Sequence, residues 1–130
     1  MNHVDHFDSV FFGMSGVETL ATDPQHRLLL EQAYAALHSA AHTRRSLENT
    51  LVAVGVGICH EDFRALTQET ELRNSPYLSI GYAHSVASGR LSYSLGLQGP
   101  CTSVDVACAS ALVAVQYADG SIAHDDCLAA

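Results

Sequence analysis

Apolar positions along the chain change period several times, and each change marks an element. Between Asp23 and His42, Leu30, Ala33, Tyr34, Leu37 and Ala41 recur at helical spacing and predict one buried helix face. Asp23-Pro24 opens that helix as an N-cap acceptor followed by proline at the first turn, and the pattern fades near His42. Arg27 and Glu31, four apart, are spaced to pair for a few tenths of a kcal/mol. Leu51 to Ile58 is uncharged and β-branched, which predicts a buried strand with Cys59 lining the core behind it. Gly55 and Gly57 inside that run predict close approach by another backbone.

Residues 60–76 are polar and mixed, fitting a short surface helix ended by Pro76. A further helix is predicted over Tyr82 to Leu95, capped by Gly96. Gly89 inside it costs about 1 kcal/mol against alanine, which implies tight packing. After the turn Gln98-Gly99-Pro100, Cys101 to Val106 predicts a strand, and an apolar helix follows to Asp119-Gly120. At the other end, residues 1–22 hold Phe7, Phe11 and Phe12 followed by Gly13, Ser15 and Gly16, a stretch packed by its aromatics and broken by turn residues. Alternating strands and helices of this kind belong to an α/β fold whose sheet is covered on both faces.

Composition narrows the function classes. The chain has 130 residues, 48% of them hydrophobic and 15% charged, the length of one domain with a real core. Six arginines against 14 acids give a net charge of −8, without the basic footprint that nucleic-acid binding needs. The apolar run from Leu51 to Cys59 is too short to span a bilayer. Met1 to Val10 lacks the basic start of a signal peptide, so an intracellular, cytoplasmic protein is expected. Arg44-Arg45 could meet an acidic partner, but reads first as solvated charge. The four cysteines at 59, 101, 108 and 127 form no Cys-x-x-Cys pair, and no disulfide framework or metal site is expected.

Cys108 is the candidate for chemistry. It stands where the strand through Val104 and Val106 turns into the helix, near the positive end of the macrodipole, a position that favours a thiolate nucleophile. Ala107 and Ala109 leave room for a substrate to reach sulfur, and the backbone N–H of Cys108 is placed to serve as an oxyanion donor. Free cysteine is also among the most buried and inert residue types, so spacing alone leaves both readings open.

Val104-Asp105-Val106-Ala107-Cys108-Ala109-Ser110-Ala111-Leu112-Val113-Ala114 resembles the active-site segment of β-ketoacyl synthases, typically Val-Asp-Thr-Ala-Cys-Ser-Ser-Ser-Leu-Val-Ala. Four more blocks follow the same family in order. Phe7-Asp8 to Phe11-Phe12-Gly13-Met14-Ser15 is similar to Phe-Asp-x-x-Phe-Phe-Gly-Ile-Ser, and Asp23-Pro24-Gln25-His26-Arg27-Leu28-Leu29-Leu30-Glu31 to Asp-Pro-Gln-Gln-Arg-Leu-Leu-Leu-Glu. Ser88-Gly89-Arg90-Leu91-Ser92-Tyr93 and Leu95-Gly96-Leu97-Gln98-Gly99-Pro100 resemble Ala-Gly-Arg-Ile-Ser-Tyr and Leu-Gly-Leu-Gln-Gly-Pro. The wording is that of the modular polyketide synthase branch.

The resemblance implies a thiolase-like α/β fold, layered α-β-α-β-α, of which residues 1–130 are part of the N-terminal half. It implies a condensing enzyme of polyketide or fatty acid synthesis that joins carbon to carbon by decarboxylative Claisen condensation through a Cys108 acyl thioester. No cofactor is expected on the domain itself. Substrates are expected as acyl and malonyl-type thioesters on the phosphopantetheine of an acyl carrier protein, and the complete domain as a homodimer. Two features depart from the family. Val106 and Ala109 replace the usual hydroxyl residues beside the cysteine. The two histidines that stabilise the enolate, in His-Gly-Thr-Gly-Thr and Gly-His contexts, have no counterpart among the eight histidines here. His26 and His84 align with non-catalytic positions and are expected to be surface or satisfied side chains. The rival reading is a catalytically silent structural or interaction fragment.

Overall fold

The computed structural model describes residues 6–130; the first five residues of the aromatic-rich stretch lie outside it. Two short parallel strands, β1 (Val54–Gly57) and β2 (Cys101–Val104), form the centre, paired in register from Val54 with Cys101 to Gly57 with Val104. Between them the chain passes through α4 (Asp62–Thr67), a 3-10 turn (Glu71–Asn74), α5 (Leu78–Tyr82) and α6 (His84–Leu95). Before β1 come α1 (Gly16–Leu20), α2 (Pro24–Ser39) and α3 (Arg44–Leu47). After β2 a 3-10 turn (Ala107–Ala109) leads into α7 (Ser110–Ala123).

The Val-Gly-Val-Gly order of β1 explains the layering. Side chains alternate across a strand, so the valines leave one face and the glycines the other. Val54 and Val56 are buried in the core with Leu91 and Leu95 of α6, Leu30 of α2 and Leu47 of α3. The glycines lie beneath α7: a Cβ on Gly55 would come 2.8 Å from Ala114 O, and one on Gly57 2.6 Å from Ser110 C. The close approach expected of these glycines is therefore real, and the approaching backbone is α7. Leu51–Ala53 do not continue β1. Val52 makes a single parallel bridge to Ala129, and Ala53 N donates to Ala129 O at 2.7 Å, so the run after His124 meets the approach to β1 through one isolated bridge and not as a strand of the sheet.

Helix 2 begins as expected, with Asp23 accepting from Gln25 N at 2.7 Å and Pro24 in the first turn. It stops at Ser39, because Ala41 takes a left-handed φ of 65° that turns it out of the buried face. Arg27 and Glu31 do not pair; Arg64 pairs with Glu61 and Arg90 with Glu18. The helix expected over Tyr82 to Leu95 is α6, which starts two residues later, at His84, because Ala83 (ψ 116°) separates it from α5. Gly81 is pressed on the backbone of Ala21 and Thr22, and its carbonyl accepts from Asp23 N at 2.8 Å, so it is tied to the α1–α2 junction. Gly96 caps α6 at φ 72°. Gly89, expected to mark tight packing, has open space around it. Helix 7 runs past Asp119-Gly120 to Ala123, because the Gly120 carbonyl accepts the His124 amide at 3.0 Å and the left-handed residue that ends it is Asp125.

The aromatic stretch packs as expected: Phe7 stacks on Phe12 at 5.1 Å, and Phe11 meets Tyr34 of α2 at 4.7 Å. Arg44 is not simply solvated charge. Its guanidinium donates to Phe11 O and lies 5.4 Å from the Phe11 ring centroid. Among the described residues no helix is long and apolar enough to cross a membrane, and no group of three or more His, Cys, Asp or Glu side chains is placed to hold a metal ion.

Candidate active site

The parallel sheet ends at Val104, and within six residues the chain reverses into α7. Ala107 makes the reversal with φ at 51°. A non-glycine residue held there costs about 1–3 kcal/mol and persists only where its surroundings impose it. Cys108 is the middle residue of the 3-10 turn and is exposed, two positions ahead of the first residue of α7. The strand is shorter than expected, and the cysteine sits, as expected, on the turn before the helix.

Hydrogen bonds fix the turn from within. Asp105 Oδ1 accepts from Ala107 N at 3.1 Å. Ser110 Oγ accepts from Val106 N at 2.9 Å and donates to Ala107 O at 2.8 Å. Ala109 N donates to Val106 O at 3.1 Å. Every amide from Val106 to Ala109 is thereby engaged except one. Among the described residues no acceptor takes the Cys108 N–H. A free amide beside an exposed sulfur is the arrangement needed to receive a developing oxyanion. Sequence reading singled out Cys108 but passed over Ser110, whose only signal was a hydroxyl residue at the first position of a helix.

The other cysteines differ in setting. Cys101 begins β2 and is exposed, Cys59 is half-buried, and Cys127 is buried. Exposure alone thus does not separate Cys108 from Cys101; the turn does. On α7, Ser110, Ala114 and Ser121 are buried, whereas Leu112 and Val115 are 73% and 64% exposed.

The histidines correct one expectation. His84 is satisfied, with Nε2 donating to His60 O at 3.0 Å. His26 is neither at the surface nor satisfied. It is 1% exposed, and neither ring nitrogen has a hydrogen-bond partner among the described residues. Burial, then the charges of Arg90 and His84, lower its pKa from 6.5 to about 4. The native state therefore binds fewer protons than the unfolded chain between these values. Stability is full above pH 6.5 and falls as the pH drops toward 4, by at most roughly 3 kcal/mol from this group. His26→Gln should flatten that part of the slope in urea titrations at pH 4.5 and 7; equal slopes for variant and wild type would refute the assignment.

Comparison with known proteins places these features in a family. The whole chain, residues 1–130, matches the family described as "Beta-ketoacyl synthase, N-terminal domain". It is 43% identical over 122 residues to a phenolphthiocerol/phthiocerol polyketide synthase of Mycobacterium tuberculosis, covering 94% of this chain and 7% of that protein. It is 42% identical over 121 residues to an erythronolide synthase of Saccharopolyspora erythraea, covering 93% of this chain and 4% of the relative. Among solved structures, the ketosynthase from module 6 of the Bacillus subtilis bacillaene synthase superposes with a TM-score of 0.84 at 28% identity, over 98% of this chain and 21% of that one. An oxazolomycin ketosynthase domain from Streptomyces albus JA3453 gives 0.85 at 30% identity, over 97% and 22%. The chain thus spans a small part of each relative.

Proposed function

Because this chain belongs to the β-ketoacyl synthase N-terminal domain family, we propose that it supplies the acyl-accepting half of a polyketide-type condensing site, with Cys108 as the nucleophile. The observation that carries the reading is the exposed Cys108 on a left-handed turn, with its own N–H left without an acceptor among the described residues. The Cys108 thiolate attacks the carbonyl of an acyl thioester, and the tetrahedral oxyanion is received by the Cys108 amide. A new S–C bond forms as the old one breaks, and the departing thiol takes up the proton that Cys108 gave. The acyl donor is a thioester on the phosphopantetheine arm of an acyl carrier protein. A malonyl-type thioester then loses carbon dioxide, its carbanion attacks the acyl carbon, and Cys108 leaves as thiolate. The complete domain acts as a homodimer.

Loading and condensation make different demands. Loading needs the sulfur, the thioester and the oxyanion donor, and these residues offer the first and the last. Decarboxylation needs in addition donors for an enolate, and the histidines here stand in neither family context for that role. Groups of this type each contribute ~10²–10³-fold or more, so these 130 residues should take an acyl group without releasing carbon dioxide. Incubation with acyl and malonyl thioesters, following protein mass and carbon dioxide separately, tests this. Failure to load would remove the nucleophile reading and favour a silent structural role. Cys108-dependent carbon dioxide release would show enolate donors within this chain.

A further inference from the structure

The departures beside Cys108 leave Ser110 with the only hydroxyl between Val104 and Gln116. It is 5% exposed and reaches both sides of the strained residue, accepting from Val106 N at 2.9 Å and donating to Ala107 O at 2.8 Å. We propose that Ser110 is the positioning residue of this site, its hydroxyl holding the left-handed Ala107 so that the Cys108 sulfur stays exposed and its N–H stays free. The proposal rests on Cys108 being the acyl acceptor. Ser110 touches no reacting atom and acts only through the backbone.

Three observations separate this role from simple packing. Both hydrogen-bonding capacities of the hydroxyl are spent on the turn, one as acceptor and one as donor. The other side-chain bond to the turn comes from Asp105, which is exposed and reaches only the Ala107 amide. Ser110 is also the first residue of α7 and lies directly over Gly57, so it ties the turn to the sheet.

Loss of the clamp lets Ala107 relax from a conformation that alanine resists but glycine adopts freely. A shift of about 1 Å at an oxyanion donor costs up to about 100-fold in rate. The test uses the full chain and two reagents at Cys108, a short acyl N-acetylcysteamine thioester, which needs the oxyanion donor, and iodoacetamide, which does not. Ser110→Ala should lower acylation about 10- to 100-fold relative to alkylation at the same cysteine. Ser110→Thr, which keeps the hydroxyl, should restore the ratio. Adding Ala107→Gly to Ser110→Ala should also recover acylation, since glycine holds the turn without a clamp. If Ser110→Ala lowers both reactions equally, or Ala107→Gly brings no recovery, Ser110 is packing and the proposal falls. If wild-type Cys108 takes no acyl group at all, the nucleophile reading falls and takes this proposal with it. A wild type that loads beside a Ser110→Ala that loads equally well removes the proposal alone.

Discussion

Cys108→Ala should abolish acyl transfer to this protein, while Cys59→Ala, Cys101→Ala and Cys127→Ala should each leave it intact. The loss should be complete, because no other thiol lies on the turn. Cys101 is the demanding control. It is exposed like Cys108, so a reaction governed by exposure alone would label both. Cys101, however, begins β2, with its partner Val54 across the ladder and no left-handed turn to free its amide. Intact-mass measurement after a short acyl thioester pulse, followed by peptide mapping, reads the outcome directly. An adduct that survives Cys108→Ala, or that divides evenly between Cys101 and Cys108, would overturn the assignment.

Gly57→Ala should damage fold and site together. The added Cβ would stand 2.6 Å from Ser110 C, 2.7 Å from Ala111 N and 2.8 Å from Ser110 O, all of them backbone. No side chain can swing aside, so α7 must lift from β1 at the end that carries the Cys108 turn. Overpacking of this kind costs about 1–3 kcal/mol and occasionally more. The same lift displaces Ser110, so Cys108 acylation should fall by about 100-fold in the variant that remains folded. Gly89→Ala is the contrasting case. Its Cβ meets nothing within 4 Å, and alanine there should stabilise α6 by about 0.5–1 kcal/mol. Urea denaturation of both variants gives the comparison. Equal signs for the two would mean that α7 does not rest on β1 as closely as the structure has it.

Much of the fold was legible because it is written in local chemistry. Asp23-Pro24 specifies a helix start, Gly96 a left-handed stop, and the alternation in Val54–Gly57 a strand with one bulky and one bare face. Cys108 was legible for a similar reason. Small residues around a cysteine between a β-branched run and an alanine-rich run describe a turn, and five ordered blocks pointed to the family and its thiolase-like fold, both supported by the matches across the chain.

What stayed hidden depends on groups far apart in sequence. The helix expected from Tyr82 begins only at His84, and Gly81 just before it is tied through its carbonyl to the amide of Asp23, 58 residues earlier. Gly57 in β1 and Gly89 in α6 were both expected to mark close packing, and only the backbone that lies over Gly57 separates the two. His26 in a polar motif carried no sign that folding would seal both its nitrogens from water and lower its pKa to about 4. Propensity, capping and residue chemistry act within a few positions, so the order of residues sufficed for most elements, their succession and the place of Cys108 on the turn. Which amide beside that sulfur is left free, and how Ser110 bears on it, follow instead from α7 settling on the bare face of β1, a contact that no local pattern encodes.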